Sequence, residues 1–222
     1  MTLGCRLRTL AVLAALCGTL SCGTHRPAAL PGPEPGPDVL ATGDSITWGF
    51  ATSDPPRTSY PTLAGVQSVA MNGACLSVRC PGSFNALLWF ADRVRALPHR
   101  PDTGVALYGI NDIANWHASP EEVIAGYARL QSIAKGLGIR LVFATITPIS
   151  QAMDDKVHAE SARETINDWI RDQDDYVDYE RALAGADGWL RPAYDSGDGV
   201  HLTDAGAARL ARVLDDWIRA GE

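Results

Sequence analysis

The chain has 222 residues, of which 46% are hydrophobic and 20% charged, and its formal net charge is −7. That length suits one α/β domain with appendages, and the composition excludes a disordered or fibrous chain. The acidic excess argues against nucleic acid or an anionic membrane surface as a partner.

The predicted elements begin with a leader. Arg6 and Arg8 precede Leu10–Leu20, an uncharged apolar stretch too short to span a bilayer. Residues 1–22 therefore read as a secretory signal, which places the mature protein outside the cytoplasm. Thr19-Leu20-Ser21-Cys22 resembles a bacterial lipoprotein lipobox, which implies lipidation of Cys22 and a membrane tether; plain secretion is the alternative. Residues 23–37, rich in proline and glycine, read as an extended linker, and residues 38–222 as a single folded domain. That domain keeps two cysteines, Cys75 and Cys80, and an even pair in an exported protein predicts a disulfide.

From Asp38 onward, short apolar or β-branched runs alternate with longer helical patterns. Strands are predicted at Val39–Thr42, Ser68–Asn72, Val105–Tyr108, Ile139–Ile146 and Tyr176–Tyr179. Ser83–Leu97 carries its apolar residues at helical spacing. Ser119-Pro120-Glu121-Glu122 combines a cap, a proline and acidic residues at a helix start, with the helix stopping near Gly136 or Gly138. Further helices are predicted over Ala159–Arg171 and from Thr203 through Trp217. This alternation implies a mostly parallel five-stranded sheet with helices on both faces.

In such sheets the site lies beyond the carboxyl ends of the strands. Reading those ends gives Gly43-Asp44-Ser45, Asn72-Gly73, Gly109-Ile110-Asn111-Asp112 and Thr147-Pro148, with Asp198-Gly199-Val200-His201 before the last helix. These residue types suit acyl transfer. Ser45 needs a base, which His201 can be; Asp198 can fold back to accept from His201 Nδ1–H. The Ser45 N–H, a backbone N–H after the second strand and the Asn111 side chain can serve an oxyanion. Taken singly, each residue has a plainer role: Ser45 as a helix N-cap, Asn111-Asp112 as turn formers, His201 as an ordinary histidine. No HExxH, CxxC, P-loop or GxGxxG pattern is present, so neither a metal nor a cofactor is expected.

The blocks Gly43-Asp44-Ser45-Ile46-Thr47, Gly109-Ile110-Asn111-Asp112 and Asp198-Gly199-Val200-His201 resemble those of the SGNH (GDSL-type) hydrolase superfamily, in the same order. The resemblance covers Val39 to about Trp217 and implies a flavodoxin-like three-layer α/β/α sandwich. It also implies a Ser45–His201–Asp198 triad and an oxyanion hole of Ser45, Asn111 and a second-block residue. Strict spacing from Asn72 points to Ser77 for that last place; Gly73 is the nearest glycine, and both remain open. Trp48, Asn115 and Trp116 are candidate substrate-pocket residues. The implied activity is hydrolysis of short-chain acyl esters, with carbohydrate or cell-envelope substrates. Alternatives are a lysophospholipase or thioesterase, an O-acyltransferase using the same triad, and a non-catalytic extracytoplasmic binding protein.

Overall fold

The computed structural model describes residues 38–221; the predicted leader, Cys22 and the predicted linker lie outside them. Five strands form one sheet: β1 (Val39–Gly43), β2 (Gln67–Ala70), β3 (Thr103–Leu107), β4 (Arg140–Ala144) and β5 (Tyr176–Val177). Their order is β2-β1-β3-β4-β5 and every pairing is parallel, so the sheet is wholly rather than mostly parallel. All five residues of β1 are buried, as a central parallel strand covered on both faces requires.

Ten helices accompany the sheet among the described residues. They are α1 (Ser45–Trp48), α2 (Pro55–Thr58), α3 (Tyr60–Leu63), α4 (Ala86–Arg95), α5 (Ile110–Trp116), α6 (Pro120–Gly136), α7 (Gln151–Val157), α8 (Glu160–Arg171), α9 (Tyr179–Leu183) and α10 (Asp204–Ala220). Helices α4, α6 and α8 pack on one another in one layer; α10 packs against α3 and α9 in another. Helix α6 opens on the predicted capping box: Ser119 accepts from the Glu122 N–H, and the Glu122 carboxylate accepts from the Ser119 N–H. Thr203 caps α10 by accepting from the Gly206 N–H.

Two boundaries differ from expectation for a definite reason. Strand β4 ends at Ala144 rather than Ile146 because the Asn167 side chain takes over both backbone groups of Ile146, at 2.7 Å and 2.9 Å. The second strand stops at Ala70, short of Asn72, and the chain turns away through Gly73 at φ +76°. Behind that turn, Cys75 and Cys80 form a disulfide. Arg163, only 1% exposed, lies between Glu160 and Glu180 and donates to the Ile146 carbonyl, so its buried charge is both paired and hydrogen-bonded. Among the described residues no helix is long and apolar enough to cross a membrane.

Candidate active site

The order β2-β1-β3 reverses the direction of winding at β1 and β3, and a crevice opens beyond their carboxyl ends. The chain leaving β1 places Ser45 there. Asp44, not Ser45, is the N-cap of α1: its carboxylate accepts from the Ile46 N–H at 2.9 Å. This corrects the reading of Ser45 as a cap. The longer Asp44 side chain does the capping, and the Ser45 hydroxyl stays free to face His201.

Ser45 Oγ lies 2.8 Å from His201 Nε2, and His201 Nδ1 lies 2.6 Å from Asp198 Oδ2. The other Asp198 oxygen accepts from the Val200 and His201 backbone N–H groups, so the carboxylate is fixed before it meets the ring. Burial pushes the Asp198 carboxyl up. The His201 backbone N–H, the imidazole and the Val200 N–H outweigh this and hold it below the usual carboxylate range. Phe50 packs its ring against His201, with centroids 4.6 Å apart. Ser53, three residues on, anchors that loop by donating its N–H and hydroxyl to Asp204 at 2.8 Å and 2.6 Å.

The chain leaving β3 supplies Asn111. Gly109 makes the turn into α5 at φ +114°, a backbone conformation strained for any residue with a Cβ, which favours glycine there. Asn111 Nδ2 donates to the Ala74 carbonyl, and Asp112 accepts from the Leu76 and Ser77 N–H groups at 2.9 Å and 2.6 Å. The Ser77 N–H is therefore already spent on Asp112. The Gly73 N–H carries no hydrogen bond to any described residue.

Ser45, Asn111, Asp198 and His201 share one cleft of about 200 Å³, whose apolar wall includes Ile110, Ala114, Met153, Val157 and Val200. Asn115 also lines it. Trp116 does not, and Trp48 faces a separate groove with Pro55, Pro56 and Thr62. The contributions of Phe50, Met153 and Val157 were not foreseen. The one sequence signal pointing to them is position, since Phe50 and Met153 lie shortly after the carboxyl ends of β1 and β4.

The whole arrangement falls within residues 41–209, which match the model of the GDSL-like lipase/acylhydrolase family. The chain belongs to that family. As a GDSL-like acylhydrolase it carries the fold of the solved structures it resembles. One is a protein from Bacteroides fragilis assigned as an acylhydrolase (21% identity, 84% of this chain and 91% of that one, TM-score 0.66). Another is a GDSL-like lipase from Bacteroides thetaiotaomicron (21% identity, 83% and 88%, TM-score 0.65). A third is a carbohydrate acetylesterase family member from Sinorhizobium meliloti (17% identity, 82% and 97%, TM-score 0.64). No curated protein matches the chain.

Next to Ser45 in this GDSL-like chain, Asp44 is 1% exposed and its second carboxylate oxygen has no hydrogen-bond partner. Burial pushes its carboxyl up to about 7, the Ile46 N–H opposing and the Asp112 charge adding to the rise. A raised folded-state pKa favours folding fully below the ordinary value of 3.8, and that contribution is lost as pH climbs toward about 7. Asn at position 44 cannot ionise. The melting temperature of Asp44→Asn relative to the parent is therefore expected to rise between pH 5 and pH 8. A constant difference across that range would contradict the buried, protonated Asp44.

Proposed function

We propose that this GDSL-like acylhydrolase is an exported serine esterase that cleaves short-chain acyl esters through an acyl-enzyme. The observation that carries the reading is the unbroken hydrogen-bond chain from Ser45 Oγ through His201 to Asp198 at the mouth of one cleft.

In the proposed first step Ser45 Oγ attacks the acyl carbon while His201 Nε2 takes its proton. Asp198 accepts from Nδ1–H, fixing the tautomer and stabilising the imidazolium. The developing oxyanion receives the Ser45 N–H, the Gly73 N–H and the remaining Nδ2 hydrogen of Asn111. Gly73 is preferred to Ser77 because the Ser77 N–H already serves Asp112. Collapse breaks the ester C–O bond, and His201 returns its proton to the departing alcohol. Water then attacks the acyl-Ser45 carbonyl, losing a proton to His201; the acyl–Oγ bond breaks, His201 returns that proton to Ser45 Oγ, and the carboxylic acid leaves.

The small apolar cleft formed by Ala114, Met153 and Val157 supports a short acyl group. Acetyl esters on carbohydrate or cell-envelope polymers are the proposed substrates, in keeping with the leader and with the disulfide, which an oxidising compartment maintains. Rates across p-nitrophenyl esters from acetate to decanoate test the acyl assignment. kcat/KM is expected to be highest at acetate to butyrate; a maximum at octanoate or decanoate would instead assign the site to lipase or lysophospholipase chemistry. A tether through lipidated Cys22 belongs to the same proposal, and a mature N-terminus other than modified Cys22 would reject it.

A further inference from the structure

Asn115 sits one helical turn beyond Asn111 on α5, exposed at the rim of the cleft. Its Nδ2 donates to Asn111 Oδ1 at 2.9 Å, while Asn111 Nδ2 donates to the Ala74 carbonyl at 3.1 Å. A backbone carbonyl only accepts, so the Asn111 atom facing Ala74 must be the nitrogen. Its oxygen then faces Asn115, and one Nδ2 hydrogen remains for a substrate oxygen. An asparagine side chain rotated by half a turn would present its oxygen instead, which repels an oxyanion rather than stabilising it.

We propose that Asn115 is a positioning residue that locks the Asn111 carboxamide in its donating orientation. The proposal rests on Asn111 being an oxyanion donor, the reading given above. Asn115 supplies the one donor among the described residues that meets Asn111 Oδ1, just as Ala74 supplies the acceptor for Nδ2. The two contacts together pin both ends of one amide. The Ala74 contact also ties the start of α5 to the residue that follows Gly73. Pre-set donors of this kind are effective because nothing must reorganise as charge develops.

The chemistry at position 115 gives a test with a definite order. Alanine removes the donor and leaves Asn111 held by Ala74 alone. A carboxylate is worse: unflipped, the Asn111 oxygen faces another oxygen at 115; flipped, it faces the Ala74 carbonyl. On p-nitrophenyl acetate, Asn115→Ala is expected to lower kcat about ten-fold and Asn115→Asp about a hundred-fold, both with KM nearly unchanged. Position 115 is exposed, so thermal midpoints should stay close to the parent. In an Asn111→Ala background, Asn115→Asp should cost nothing further, because the group it positions is gone.

Asn115→Asp as active as Asn115→Ala or more so, either variant at the parental rate, or an equal loss from Asn115→Asp with and without Asn111 would each overturn the proposal. Asn111→Ala at the parental kcat would overturn the oxyanion reading beneath it instead.

Discussion

Replacing Ser45 by alanine is expected to lower kcat for p-nitrophenyl acetate by about 10⁶-fold, the scale reached when a serine nucleophile acting with a histidine base is removed. Ser45 Oγ lies within hydrogen-bond reach of a ring nitrogen whose other nitrogen is already bound to a carboxylate. Alanine loses that single side-chain contact and leaves no gap of consequence at the start of α1, so the variant should fold normally. In the proposed mechanism the serine and histidine act as one unit, so His201→Ala should cost a comparable factor, and the double variant little more than either alone. An additive double variant would mean that the two residues act separately.

Asp198→Asn is the second large effect, expected at about 10⁴-fold in kcat. Asparagine keeps an oxygen for the Val200 and His201 N–H groups, so the turn survives. Its amide nitrogen, however, faces Nδ1 and donates. The imidazole must then carry its proton on Nε2, toward Ser45, and can no longer accept the hydroxyl proton. Circular dichroism and thermal melting should be close to the parent while turnover collapses. Retention of more than about a tenth of the parental kcat would show that the carboxylate does not set the tautomer.

The fold and the central residues were legible because they follow simple rules. Apolar runs alternate with helical patterns, and in a parallel sheet the functional groups gather where strands end, so Ser45, Asn111 and the Asp198–His201 pair stood out by position. Ser119 and Thr203 announced their helices because capping chemistry is local. The missed features all depend on tertiary contact. Helix α7, with the polar sequence QAMDDKV, is too short to show periodicity, yet it brings Met153 and Val157 to the cleft. Phe50 reaches His201 because Ser53 bonds to Asp204, far along the chain. Arg163 reads as a surface residue of an amphipathic helix until Glu180 of α9 arrives to neutralise it. The proposed preference for Gly73 over Ser77 rests on Asp112, whose use of the Ser77 N–H no spacing rule contains.

The central claim is that Ser45 carries the acyl group. Intact-protein mass spectrometry after brief exposure to an active-site-directed fluorophosphonate, followed by peptide mapping, tests it most directly. One adduct per chain is expected, on the peptide containing Ser45, and none in Ser45→Ala. An adduct on another residue, or equal labelling of Ser45→Ala, would contradict it.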